Sequence, residues 1–297
     1  MAKQDYLIVT DAASDIIPDY ADREGILVIP MEVTMTDGTV FDATYDNANM
    51  DLEEFYTRIS GGQFAQTSAI TPQRYRDFFI PLLEQGKDIL YNCFTSAMSS
   101  TYSNACMVAE ELKEQFPERK LLVVDSIGAT GGQGYHTYYA AVNRDNGMPI
   151  EENAQWLEDT KKHVAYNWTV SDLMHLNRGG RLSKTAAIFG TALQIKPVGN
   201  IDDEGRLVSI GKARGRKLSI RRLCDILENS LDDAEKRPAL ICYGSCPEDA
   251  EALKRMILDT GKVSEVLTGR IGPVVGTHLG PSGLTLFFFC RERVKAI

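Results

Sequence analysis

The chain has 297 residues, of which 43% are hydrophobic and 25% charged, near the averages for a globular protein, so a disordered, fibrous or repeat-dominated chain is excluded. That length allows one large domain or two moderate ones, with roughly three quarters of the unfolded surface buried and no need for a disulfide or metal staple. A net charge of −9 argues against a general nucleic-acid binder, which needs a basic surface for phosphates.

Met1 to Asp5 leads straight into Tyr6-Leu7-Ile8-Val9-Thr10, with neither a long apolar segment nor a cleavage site, so no secretory signal is expected. The first half then alternates strand and helix. Apolar, β-branched runs at 7–9, 26–35, 89–94 and 121–124 have the length of strands. Between them, Asp51 is an N-cap with Glu54 three residues on, followed by the stripe Leu52, Phe55, Tyr56 and Ile59. Thr71-Pro72 starts a second helix, and further helices are predicted over 100–115 and 132–143. This alternation predicts a mainly parallel sheet with helices on its faces.

Residues 144–149 read as a turn or linker before a helix over 151–163. The pattern beyond is less regular, with strands expected at 165–170, 195–201, 207–210, 239–243 and 284–290. Asp202-Asp203-Glu204-Gly205 is a hairpin turn, and helices fit 218–230 and 248–260. The fold expected is therefore α/β in two domains: residues 1–160 around a mainly parallel sheet, and residues 161–297 as a mixed α/β unit. The apolar run at 284–290 is too short for a membrane span and reads as a buried strand.

Each strand of the first half ends in small hydroxylated or acidic residues: Thr10-Asp11-Ala12-Ala13-Ser14, then Thr95 to Thr101, then Asp125 to Gly132. Ligands of parallel α/β sheets bind outside the carboxyl ends of the strands, where helix N-termini favour an anion. Thr67 and Ser68 add to this set. Singly these residues read as caps and turns; together they point to an anion site. Gly128, Gly131, Gly132 and Gly134 spell neither GxGxxG nor a Walker loop, and Ser245 lacks a nucleophile elbow. The six cysteines (Cys93, Cys106, Cys224, Cys242, Cys246 and Cys290) are scattered without metal spacing and are expected to be reduced core residues, which makes the cytoplasm the expected compartment.

Of the four histidines, His136 and His163 fall in expected helices as surface or half-buried residues, and His175 has no metal partner in the sequence. His278 sits in Gly272-Pro273-Val274-Val275-Gly276-Thr277-His278-Leu279-Gly280-Pro281, read as a loop free enough to reach a cleft. Two basic groups stand out in an acidic protein: Lys212, Arg214, Arg216, Lys217, Arg221 and Arg222, and separately Arg178, Arg181 and Lys184. They fit either a solvated face or a surface for an anionic partner.

These segments together resemble the DegV family over essentially the whole chain. The resemblance rests on Thr10-Asp11-Ala12-Ala13-Ser14-Asp15-Ile16, on Ser96-Ala97-Met98-Ser99-Ser100-Thr101-Tyr102, and on Val124-Asp125-Ser126 with the glycines to Gly134. Leu173, Leu176, Gly179-Gly180-Arg181-Leu182-Ser183, Lys196-Pro197, Arg214-Gly215-Arg216-Lys217 and the His278 segment then follow in order. The resemblance implies a two-domain α/β protein that binds a long-chain fatty acid between its domains and presents the carboxylate to an ATP-binding kinase subunit. No cofactor, metal or catalytic residue of its own is implied. Carried over by position, Thr67 or Ser68 together with Ser96 would hold the carboxylate from the first domain and His278 from the second; from the basic groups themselves, Arg178, Arg181, Arg214 and Arg216 are the expected contacts for the partner or a membrane surface. Two departures stand out: Thr67-Ser68-Ala69-Ile70-Thr71 replaces the family's Thr-Ser-Gln-Pro-Ser, and Ser100 stands where Gly is usual. The competing reading is a small-molecule enzyme akin to the substrate domain of dihydroxyacetone kinases, with His278 or His175 on a ketone; a long apolar tunnel would separate the two.

Overall fold

The structure is a computed structural model and describes residues 4–171, 173–182, 194–232 and 236–295. Its first lobe runs β1 (Tyr6–Asp11), α1 (Pro18–Glu24), β2 (Leu27–Ile29), β3 (Met31–Met35), β4 (Val40–Ala43), α2 (Leu52–Ser60) and β5 (Ala65–Thr67). It continues through α3 (Pro72–Glu84), β6 (Asp88–Cys93), α4 (Thr101–Gln115), β7 (Leu121–Asp125), α5 (Thr130–Asp145) and α6 (Ile150–Thr160). Strands β2-β1-β6-β7 form a parallel sheet. The Asp51 cap is made as expected, its carboxylate accepting from the Glu54 N–H at 2.9 Å, and Thr71 caps α3 the same way.

One expected strand is two. The run 26–35 breaks at Pro30, which has no N–H to give a ladder, so β2 stays in the parallel sheet while β3 joins β4 and β5 in a small antiparallel sheet. This second sheet carries Thr67 and Met31 toward the other lobe.

The second lobe runs β8 (Val164–Thr169), α7 (Met174–Gly179), β9 (Ile195–Ile201), β10 (Leu207–Arg214), α8 (Arg216–Ser230) and β11 (Ala239–Tyr243). Then come α9 (Pro247–Asp259), β12 (Val266–Arg270), α10 (Pro273–Leu279) and β13 (Leu284–Phe289). Its sheet is mixed, in the order β10-β9-β8-β13-β11-β12, with only β11 and β12 parallel. All six residues of β13 are buried, as a run without polar alternation requires. The hairpin at 202–205 joins β9 to β10, pairing Ile201 with Leu207.

Helix α5 lies between the two sheets and explains the glycines of its first turns. A Cβ at Gly131 would meet the Cys242 sulfur at 2.4 Å, one at Gly132 the Tyr166 ring at 2.3 Å, and one at Gly134 the Ser14 carbonyl at 2.7 Å. These glycines allow close packing rather than cradling a nucleotide. The core is continuous across this contact, running from Val9 and Tyr91 in the first lobe to Tyr166, Trp168 and Phe287 in the second.

Two expectations about histidines are corrected. His136 is fully buried on α5, with Nε2 at 2.8 Å from the Thr160 hydroxyl and its ring beside Trp156 and Phe289. The 273–279 segment is a helix, not a loop: Pro273 supplies the preset φ of a first helical residue, and Gly280 at φ +73° ends the helix. Ser183 and Lys184 lie outside the described residues.

Candidate functional site

A cavity opens between the lobes at the carboxyl ends of β1 and β6, with about 940 Å³ of empty space including its mouth. From the first lobe it is walled by Ala13, Met31, Phe94, Met98 and Ala129; from the second by Trp168, Leu176, Ile201, Leu207, Val274, Val275, Leu279 and Phe287. Among the described residues, Arg181 is the one charged side chain in its wall. The wall is mostly apolar, with Thr130, Tyr166, Asn167 and Thr285 adding polar groups to it.

A polar cluster gathers from three elements. Thr67 closes β5, Ser68 and Ala69 follow it, and His278 projects from α10; all four line the cavity. The Thr67 hydroxyl and His278 Nε2 share a hydrogen bond of 3.1 Å across the lobes. The Ser68 hydroxyl donates to Glu32 Oε1 at 3.2 Å. His278 passes close over α7, where a Cβ on Gly179 would sit 2.3 Å from Nδ1, so that position excludes a side chain. Burial, and secondarily the charge of Arg181, push the His278 pKa down to about 4. The imidazole is therefore neutral at physiological pH and carries one N–H, and Nε2 is the nitrogen that meets the Thr67 hydroxyl.

The Ser-rich loop contributes different residues from those expected. Ser96 is exposed outside the cavity wall, its backbone N–H donating to the Asp125 carboxylate at 3.2 Å. Ser99 and Ser100 line the wall instead, immediately before the first turn of α4. Ser99 also accepts from the Thr101 N–H at 3.1 Å and shares a 2.8 Å hydrogen bond with the Thr101 hydroxyl. The sequence placed the whole Ser-rich loop outside the carboxyl end of a strand, where ligands of such sheets bind, and which serines line the cleft follows from the loop's path between Cys93, the end of β6, and Thr101, the start of α4.

The arginines separate into distinct environments. Arg181 borders the cavity near His278, and Arg178 lies 3.2 Å over the centroid of the Phe64 ring, joining α7 to the first lobe. Arg214 is exposed, with Nε 3.4 Å from Gln194 Oε1. Arg216 is committed to the fold, paired with Asp249 at 2.7 Å and donating to the Ser282 carbonyl at 2.8 Å. Arg221 pairs with Asp225 at 2.9 Å. Lys212, Lys217 and Arg222 are exposed. Among the described residues no helix is long and apolar enough to cross a membrane, and no group of three or more potential metal ligands occurs.

The architecture is thus that of a two-lobed α/β protein, a parallel sheet facing a mixed one across an apolar cavity. The sequence pattern of the DegV family, described as uncharacterised proteins, covers residues 6–291, and the chain belongs to that family. It is 35% identical over 285 residues to a DegV domain-containing protein of Clostridium perfringens, spanning 95% of this chain and 97% of that one. A Streptococcus pyogenes relative is 33% identical over 282 residues, covering 95% and 97%. Among solved structures, a Thermus thermophilus DegV family protein described for its fatty acid binding superposes with a TM-score of 0.85 at 26% identity, covering 97% of this chain and all of that one. Bacillus subtilis DegV, described as a fatty acid binding protein, gives 0.82 at 25% identity with 97% and 100% coverage.

Proposed function

We propose that this protein binds one long-chain fatty acid between its lobes, with the acyl chain in the apolar cavity and the carboxylate at the Thr67–His278 end. The observation that carries this reading is a mostly apolar cavity between the lobes in which a hydroxyl and a neutral imidazole already share a hydrogen bond. Ser68 and Ser99 complete this polar cluster, and Ser96 stands outside it. A triose would need a small polar pocket, and the many apolar side chains in this wall disfavour that alternative. Burial of an acyl chain is worth about 0.8 kcal/mol per methylene, on the order of 10 kcal/mol before the costs of binding. The protein should therefore leave purification with close to one fatty acid per chain, seen by native mass spectrometry. Apo protein alone, with no rise in melting temperature on adding a fatty acid, would refute the reading.

The finer reading is that the protein works in the cytoplasm and presents the carboxylate to an ATP-binding kinase subunit, making no acyl phosphate by itself. Residues 1–160 and 161–297 are the two functional units, with Arg181 in the cavity wall and Arg178 on the same helix-end segment beside it as candidate contacts for the partner. A partner or anionic membrane surface would meet the exposed cations Lys212, Arg214 and Lys217. Arg216 is instead held within the fold by Asp249 and the Ser282 carbonyl. Arg214→Glu with Lys217→Glu should slow acyl phosphorylation in a reconstituted system by about tenfold at low salt while sparing lipid binding, since surface charges act through steering. The deficit should shrink as salt rises, because exposed charges are screened within about 8 Å at physiological ionic strength. Turnover unchanged by the double reversal would remove this face from the docking surface.

A further inference from the structure

The segment from Thr10 to Ile16 holds two buried carboxyls that lipid binding does not use directly. Asp11 serves the first lobe alone. Its Oδ2 accepts from the Tyr91 hydroxyl at 2.9 Å, the Phe94 N–H at 2.9 Å and Gln133 Nε2 at 3.1 Å, and its Oδ1 accepts from the Ala13 N–H at 3.2 Å. Asp15 does something else. Its Oδ2 accepts from the Thr130 hydroxyl at 2.5 Å at the start of α5, while Oδ1 reaches the other lobe and accepts from the Gly272 N–H at 2.8 Å.

Gly272 directly precedes Pro273, the first residue of α10, and Pro273 has no N–H of its own. The same turn is held from a second side, because the Tyr56 hydroxyl donates to the Ile271 carbonyl at 2.8 Å. A Cβ on Gly272 would stand 2.8 Å from Asp15 Oδ1, so the approach is possible only to glycine. Asp15 and Thr130 both adopt left-handed backbones, at φ +42° and +50°, and for a β-branched threonine that is an outlier. Such conformations persist where the surroundings fix them, typically near sites. From Gly272 the helix runs about 9 Å to His278 at 1.5 Å per residue, so a shift at the turn is carried to the imidazole.

We infer that Asp15 is a positioning residue for the acyl carboxylate: by holding Gly272 it fixes α10 against the first lobe and so places His278 beside Thr67. The inference rests on the fatty-acid reading of the cavity. What matters is the acceptor at Oδ1 and not the charge. Burial first, and Asp11 less strongly, push the Asp15 pKa up to about 7, so the group is partly protonated at neutral pH and still accepts from Gly272. An asparagine amide oxygen would do the same, with its NH₂ facing the Thr130 oxygen.

The test compares hexadecanoic acid with hexadecan-1-ol on delipidated full-length protein. Wild type should prefer the acid. Asp15→Ala should lose about tenfold of that preference, equivalent to about 1.4 kcal/mol, with alcohol affinity nearly unchanged, and Asp15→Asn should restore it. Gly272→Ala is a second arm that keeps the carboxyl but pushes it away, and it should reproduce the alanine variant. The ¹⁵N signals of the His278 ring, bonded to Thr67 in wild type, should shift in Asp15→Ala and return in Asp15→Asn. The inference falls if either disrupting variant keeps the wild-type preference, if acid and alcohol weaken equally, or if asparagine fails to rescue. A wild type with no preference for the acid would instead overturn the carboxylate reading itself.

Discussion

Alanine at His278 should weaken a long-chain acid by roughly tenfold to a hundredfold while leaving the matching alcohol within about threefold, because a hydrogen bond to a charged acceptor is worth about 1.5–3 kcal/mol and one to a hydroxyl less. The imidazole is the group that the geometry singles out, its Nε2 3.1 Å from the Thr67 hydroxyl and its ring lining the cavity. Its pKa of about 4 adds a second, independent expectation. A ring that is neutral from pH 8 to pH 5.5 gives acid affinity no step near the usual histidine value. If the site relied on an imidazolium, binding would instead tighten as pH falls through 6.5. Paired titrations of acid and alcohol at three pH values decide both points. Ser96→Ala is the matched control and should leave both ligands unmoved, since Ser96 is exposed outside the wall. Equal losses for acid and alcohol in His278→Ala would reduce His278 to a packing residue.

The parallel sheet, most helices and the hairpin at 202–205 were legible because each rests on local chemistry: β-branched runs, Asp51 and Thr71 as caps, and a Gly turn. What escaped reading depends on distant neighbours. The split at Pro30 creates a second small sheet, and β5 is too short and polar to signal itself; it becomes a strand only by pairing with β3. The segment at 273–279 looked like a loop because Gly and Pro disfavour helix interiors. Its glycine is instead required by contact, since a Cβ on Gly276 would lie 2.6 Å from the Tyr56 hydroxyl. At the site, hydroxyl-rich strand ends gave the chemical class of ligand head, but choosing Ser99 over Ser96 needed the start of α4. The basic run likewise gave charge without partners, so Arg216 and Arg214 looked alike until Asp249 separated them.

Stability against pH should expose Asp15 most clearly, because the buried histidines and the buried carboxyls act in opposite directions. His278 and His136 have folded pKa values pushed down to about 4 and about 3, each mainly by burial. The unfolded chain takes up those protons near pH 6.5 and the folded one does not, so both histidines lower stability as pH falls from 6.5 toward 4. Asp15 behaves inversely. Its folded pKa of about 7 exceeds the unfolded value, so the native state holds the extra proton between roughly pH 4 and 7 and gains stability as pH falls through that window. Asp11, also raised by burial, works in the same sense as Asp15. At about 1.4 kcal/mol per pH unit for one proton, the opposing slopes cancel in large part, and wild type should lose little stability between pH 7 and 5. Asp15→Asn removes one opposing slope and keeps the Gly272 acceptor. Delipidated Asp15→Asn should equal or exceed wild type at pH 8, where the native carboxyl is a buried charge, yet fall about 2–3 kcal/mol further than wild type by pH 5. Urea midpoints at the two pH values measure this directly. Parallel pH profiles for the two proteins would mean that Asp15 stays ionised in the fold, its burial offset by Thr130 and Gly272.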